Sequence, residues 1–188
     1  ATGAVAQAAG ALVVREPRRG YGYACAAGVV AATGDILVFM DGDGSFVPDE
    51  LKQLVEPLVT GQADLVLGTR FRGGMSAGAM PPHQRFGNHL VAWLVRLFYQ
   101  VELTDLGPFR AIRSERLAEL QMQERTYGWP IEMMVKAAKR RFRLLEVPVR
   151  YRPRLAGQSK VGGTVRGTVL ATYKILRVTF RYVWRSNR

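Results

Sequence analysis

Five consecutive apolar residues, Ile36-Leu37-Val38-Phe39-Met40, run straight into Asp41-Gly42-Asp43-Gly44. An apolar run of this length without alternation is the pattern of a strand buried on both faces, as inside a parallel sheet. The turn that ends it sets two carboxylates one glycine apart just past the strand's C-terminal end, where open α/β sheets bind ligands. Both can face one hard cation, and Mg2+ or Mn2+ takes few protein oxygens while leaving positions for phosphate oxygens. Asp41 and Asp43 are therefore read as a site for a metal-bridged diphosphate, against the plainer reading of turn and helix-cap carboxylates.

The neighbouring sequence repeats the βα pattern. Leu12-Val13-Val14 reads as a short strand, residues 22–32 as a small-residue helix broken by Thr33-Gly34-Asp35, and Pro48 opens a helix to about Leu58 before a strand over 64–68. Residues 73–82, rich in Gly, Met, Ala and Pro, read as a loop. Helical spacing returns over 88–99 and 127–139, turn residues over 104–113 surround Phe109, Ala111 and Ile112, and 143–151 alternates as a strand. A Gly- and Ser-containing loop follows Pro153. The last segment then sets Val169, Tyr173, Leu176, Phe180 and Val183 on one helical stripe and Lys174, Arg177 and Arg181 on another. The expected organisation is an α/β domain over residues 1–163 and a basic amphipathic helix over 164–188.

Charge divides the chain. Residues 1–68 hold four basic and eight acidic side chains, whereas from residue 140 onward there are 13 basic residues and one acid, Glu146. Such a segment calls for an anionic partner: nucleic acid, an anionic membrane surface or a phosphorylated substrate. No RNA-recognition, KH, zinc-finger or helix-turn-helix signature accompanies the charge, so nucleic acid is the least favoured. The aromatic stripe Tyr173, Phe180 and Trp184 reads first as core, and its basic flank also fits a helix lying on an anionic membrane. No uncharged apolar stretch is long enough to span a bilayer, since Arg96 cuts the best candidate, residues 90–101.

Other chemistries find little support. Cys25 is the single cysteine, so neither an internal disulfide nor a cysteine-based zinc site can form. Gly20-Tyr21-Gly22 imitates a dinucleotide fingerprint but has Cys25 where the third glycine belongs. No Walker loop occurs, and neither His83 nor His89 sits at triad or metal spacing. Arg70, Arg72, Arg85, Arg150, Arg152 and Arg154 fall in or next to loops, where converging guanidinium groups can grip phosphates; Lys160 has the same status.

In order along the chain, Arg19-Gly20-Tyr21-Gly22, Ala32-Thr33-Gly34-Asp35-Ile36 leading to Asp41-Gly42-Asp43, Gly68-Thr69-Arg70-Phe71, Thr104-Asp105-Leu106-Gly107-Pro108-Phe109-Arg110, Glu146-Val147-Pro148-Val149 and residues 154–160 resemble glycosyltransferase family 2. Within that family they resemble the branch of the dolichol- or polyprenyl-phosphate sugar synthases. The resemblance implies a GT-A, Rossmann-like fold, a mostly parallel sheet flanked by helices. It also implies inverting, Mg2+- or Mn2+-dependent transfer of a sugar from a UDP- or GDP-sugar to a lipid phosphate at the cytoplasmic membrane face. A soluble acceptor is the alternative.

On that resemblance Asp41 and Asp43 hold the metal, Arg154, Ser159 and Lys160 close over the donor diphosphate, and Arg70 and Arg85 take the acceptor phosphate. A phosphate acceptor needs no strong base; a hydroxyl acceptor does. Asp105 and Glu132 are the candidates for that proton, although Asp105 equally reads as a turn cap and Glu132 as a solvated helix residue. The family usually has Lys where Tyr21 stands. Its opening nucleotide-binding strands are expected to precede Ala1, so this chain is expected to be an amino-terminally truncated form, inactive alone.

Overall fold

The computed structural model describes residues 2–156, 173 and 175–182. Helices α1 (Thr2–Ala8) and α2 (Tyr21–Ala31) precede strand β1 (Ile36–Phe39). A 3-10 turn, Pro48–Glu50, leads into α3 (Leu51–Val59), followed by β2 (Leu65–Thr69), α4 (Arg70–Gly73), α5 (Pro82–Tyr99), β3 (Arg110–Arg113), α6 (Ser114–Leu120), α7 (Trp129–Lys139) and β4 (Leu144–Pro148). Residues 175–182 are helical. α5 begins a turn and a half before the expected residue 88, because Pro82 at its first position supplies a preset helical φ.

The strand order is β1-β3-β2-β4. β3 runs antiparallel to both β1 and β2, while β2 and β4 are parallel, so β1, β2 and β4 point the same way. The expectation that residues 36–40 form a strand buried on both faces is corrected: β1 ends the sheet order and is only half-buried. Double burial belongs to β2, which is buried throughout. Leu65 and Leu67 join the cluster formed with Val91 and Val95 of α5, Leu117 and Leu120 of α6, and Met133 and Met134 of α7. Val66, on the opposite face, packs with Leu54 and Leu58 of α3 and with Phe109 and Ala111. An apolar run reports how much of a strand is covered, not which neighbour covers it.

Two further expectations change. Residues 12–14 form no strand and Leu12 is 80% exposed, since three apolar residues with no strand beside them gain too little burial to fix an extended backbone. In the last helix Val178, Thr179 and Tyr182 are buried, and the Tyr99 hydroxyl donates to the Thr179 carbonyl at 2.8 Å. Tyr173 and Phe180, read first as core, are exposed, and Trp184 lies outside the described residues.

Carboxylates fasten both ends of β4. Asp64 accepts the Arg143 amide at 2.9 Å and its guanidinium, and Glu50 accepts the Arg150 amide at 2.9 Å and its Nε at 2.7 Å. Leu67→Ala, cutting into the strand that both core clusters share, is expected to lower unfolding free energy by about 2–5 kcal/mol in urea denaturation.

Candidate active site

The turn after β1 is shaped by its own side chains. Gly44 takes φ +77, the left-handed region that glycine enters without strain. Asp43 Oδ1 accepts the Ser45 amide at 3.0 Å, and its Oδ2 pairs with Arg154 at 2.9 Å. Burial pushes the Asp41 carboxyl up from its ordinary range, as does the neighbouring Asp43, while Arg70, Arg154 and Arg110 draw it down. The fold thus gathers Asp41, Asp43, Arg70 and Arg154 from three separate stretches of sequence. It adds Arg110, which the sequence marks only as part of the motif over residues 104–110. It also adds Ser45, 1% exposed, whose Oγ has no hydrogen-bond partner among the described residues.

A cleft of about 410 Å³ opens between α2 and β1, lined by Tyr21, Cys25, Phe39, Asp41 and Gly42 among others. Burial pushes the Cys25 thiol up to about 11, so it is a neutral, weakly reactive group near pH 7. Gly22 opens no path to a phosphate. A Cβ there would meet the Glu124 carbonyl oxygen at 2.5 Å, and the Tyr23 amide donates to the Arg125 carbonyl, so the glycine lets the start of α2 press on that backbone.

Arg70 is held rigidly. Asp105 accepts its amide and Nε through one oxygen, both at 2.8 Å, and its Nη2 through the other at 2.7 Å, and the guanidinium lies 5.0 Å from the Tyr151 ring centre. Burial pulls the Arg70 pKa down, but the Asp105 bonds and charge outweigh it and hold the group charged. Glu146 on β4 holds Asp105 in turn, accepting the amides of Thr104 at 2.7 Å and Asp105 at 3.0 Å and the Thr104 hydroxyl at 2.8 Å. Asp105 is neither a turn cap nor an open base: it is buried, with both oxygens on Arg70. Arg110 is buried with no carboxylate bonded to it among the described residues, donating to the carbonyls of Pro130, Leu106 and Gly107. Burial lowers its pKa, yet a guanidinium stays protonated at any physiological pH.

Glu132 is also corrected. It is fully buried in the first turn of α7, accepting the Gln123 and Glu124 amides at 2.9 and 2.7 Å, Lys136 Nζ at 2.7 Å and the Tyr182 hydroxyl at 2.7 Å. It joins the 123–124 loop, α7 and the last helix, and it is neither solvated nor free to take a proton. Arg150 is committed to Glu50. Arg85 is exposed on the first turn of α5, one turn before His89, whose ring lies 4.4 Å from Phe71, the neighbour of Arg70. Ser159 and Lys160 lie outside the described residues.

The sequence model of Glycosyl transferase family 2 matches residues 1–145. The chain belongs to glycosyltransferase family 2. It is 40% identical over 177 residues to an uncharacterized glycosyltransferase of Mycobacterium tuberculosis, covering 94% of this chain and 80% of that protein. It is 31% identical over 167 residues to the dolichyl-phosphate hexose transferase of Haloferax volcanii, covering 88% and 71%, and 31% identical over 137 residues to the undecaprenyl-phosphate mannosyltransferase of Micrococcus luteus, covering 71% and 56%. Among solved structures it resembles glucosyl-3-phosphoglycerate synthase from Mycobacterium tuberculosis in complex with Mn2+ and uridine-diphosphate-glucose, with a TM-score of 0.67 at 20% identity. That likeness covers 97% of this chain and 64% of the solved chain, so this family 2 chain spans just under two thirds of its structural neighbour. The fold is the GT-A α/β fold expected from the motifs.

The Glu132 clamp sets a pH dependence. Burial pushes its carboxyl up, but the bonds from Lys136, the Glu124 and Gln123 amides and Tyr182 outweigh this and hold it below the ordinary 4.5. A depressed native pKa contributes stability that is complete above the unfolded value and is lost as pH falls through the native one. Glu132→Gln is expected to lose about 3 kcal/mol at pH 7 in denaturant melts and to flatten the decline below about pH 4.5.

Proposed function

We propose that this chain carries out inverting transfer of a hexose from a UDP- or GDP-sugar to a polyprenyl or dolichyl phosphate, at the cytoplasmic face of a membrane. One observation carries the reading: a carboxylate pair at the end of β1 stands among the cations Arg70, Arg110 and Arg154. Carboxylates alone would suit a metal and cations alone a phosphate; a metal-bound diphosphate needs both.

The donor set fits Mg2+ or Mn2+. Asp41 and Asp43 supply hard oxygens, and the buried, unpartnered Ser45 Oγ beside Asp43 is a third. When bound, the cation supplies charge stabilisation to the departing diphosphate. Arg154, with Lys160 from the following segment, neutralises the same leaving group, and Ser159 offers it a hydroxyl donor. Arg70 and Arg85 hold the acceptor phosphate. One of its oxygens attacks the anomeric carbon, the carbon-oxygen bond to the diphosphate breaks, and the configuration inverts.

That oxygen is already anionic near pH 7, so no side chain has to accept a proton. The commitments of Asp105 and Glu132 to internal partners support this acceptor over a sugar hydroxyl. Relatives named for dolichyl and undecaprenyl phosphate point the same way.

The surface supports a membrane-bound acceptor. Phe86, Trp93 and Leu97 lie on one stripe of α5 and are 70%, 56% and 56% exposed, beside exposed Phe98 and Phe180, which touch edge to face at 5.6 Å. Arg85, Arg96, Arg177 and Arg181 are exposed on the same two helices. Among the described residues no helix is long and apolar enough to cross a membrane. An apolar stripe flanked by arginines suits a surface-lying contact with anionic lipid.

Calorimetry with UDP- and GDP-sugars is expected to detect binding that requires Mn2+ and disappears in the Asp41→Ala/Asp43→Ala variant. With the donor so found, label should move into the organic phase on extraction when undecaprenyl phosphate is supplied; label that stays in water with a phosphorylated soluble acceptor would reverse the choice of acceptor. In vesicle co-sedimentation, Trp93→Ser/Leu97→Ser should weaken partition onto anionic liposomes by about tenfold or more.

A further inference from the structure

We propose that Arg154 stands in for the cation in the metal-free protein, and that its guanidinium passes from Asp43 to the donor diphosphate when metal and nucleotide bind together. The proposal rests on the reading of Asp41 and Asp43 given above and adds a gate to that site.

The segment carrying Arg154 is strapped onto the turn it serves. Tyr151 forms an antiparallel bridge with Phe46, and their rings lie 5.2 Å apart. The Arg152 amide donates to the Ser45 carbonyl at 2.9 Å, and the Leu155 amide to the Asp43 carbonyl at 3.0 Å. The Leu155 side chain covers Gly44 so closely that a Cβ there would collide with it. Upstream, the Arg150 pair with Glu50 fixes the root of the strap. The backbone of 150–155 is therefore anchored along its length, and the mobile part of Arg154 is its long side chain.

Both oxygens of Asp43 already have a partner: Oδ1 accepts the Ser45 amide, and Oδ2 is the atom that Arg154 holds at 2.9 Å. Guanidinium and metal therefore meet at one carboxylate, where their positive charges repel. With Arg70 and Arg110 also near Asp41, positive charge already faces the carboxylate pair before any metal arrives. A cation binding alone weakens the Arg154 pair with Asp43 and offers the guanidinium no new anion in exchange. A diphosphate changes the balance, because it offers Arg154 a new anion suited to two parallel N–H bonds. The gate makes metal and nucleotide binding mutually dependent, and by linkage each raises the affinity of the other by the same factor.

The test is Mn2+ titration followed by the paramagnetic resonance signal of free Mn2+, run without nucleotide, with UDP and with GDP. Without nucleotide, Arg154→Gln is expected to bind Mn2+ about two- to fivefold more tightly than the wild type, the scale of a half-exposed ion pair. With the nucleotide that binds, the same variant should be about tenfold weaker than the wild type, so that the coupling factor shrinks. Arg152→Gln, which removes an exposed charge from the same strap, should leave nucleotide-free Mn2+ affinity unchanged. The exchange is overturned alone if Arg154→Gln gains no nucleotide-free affinity, or if Arg152→Gln gains as much, which would make the effect one of overall charge. If the wild type with either nucleotide binds Mn2+ no better than Asp43→Asn, the reading of the site falls and the exchange falls with it.

Discussion

The buried pair of Asp105 and Arg70 is the constraint on which the site depends. A guanidinium enclosed this far needs its donors filled, and Asp105 accepts two of its N–H groups together with the Arg70 amide. Asp105 can do so only because Glu146 fixes its backbone, and Glu146 is placed by the parallel pairing of β4 with β2. The chain of support runs from sheet to carboxylate to arginine, and it ends beside Asp41. Burial makes each link strict, since removing one member strands a charge without water.

Seen whole, the fold reconciles the uneven charge of the sequence. The acids of the first third meet arginines from the 143–154 stretch: Asp43 with Arg154, Glu50 with Arg150, Asp64 with Arg143. Part of the anionic partner that the basic segment calls for is therefore the amino-terminal part of the same chain. Glu146, farther along, binds backbone amides and a hydroxyl instead, and Glu132 binds amides, the Tyr182 hydroxyl and Lys136 of its own helix. Asp41 and Asp43 lie past the C-terminal end of β1 beside Arg70, Arg110 and Arg154, and that placement suits a charged ligand.

The sequence disclosed what is local. The run into Asp41-Gly42-Asp43 marked a strand and the turn that ends it, and helical spacing located α3, α5 and α7, because periodicity and turn residues act over a few positions. What stayed hidden depends on partners far along the chain. Asp105 looks like a free acid until Arg70, 35 residues earlier, is set beside it, and Glu132 looks solvated until Tyr182, 50 residues later, lands on it. Direction in the sheet was equally hidden, since the antiparallel insertion of β3 between β1 and β2 leaves no local mark. Ser45 carries no motif either; what distinguishes it is burial without a partner.

The strand order has a consequence for how the protein is made. β2, the strand with the most apolar surroundings, lies between β3 and β4, and both follow it by many residues. During synthesis Leu65–Thr69 leaves the ribosome with both hydrogen-bonding edges open, and its first sheet partner arrives only with Arg110–Arg113. Pairings so distant in sequence close late, after the entropy of long loops has been overcome. The segment at the centre of the finished molecule is thus the one longest exposed to mispairing with other chains, and the yield of folded protein depends on how it is shielded in that interval.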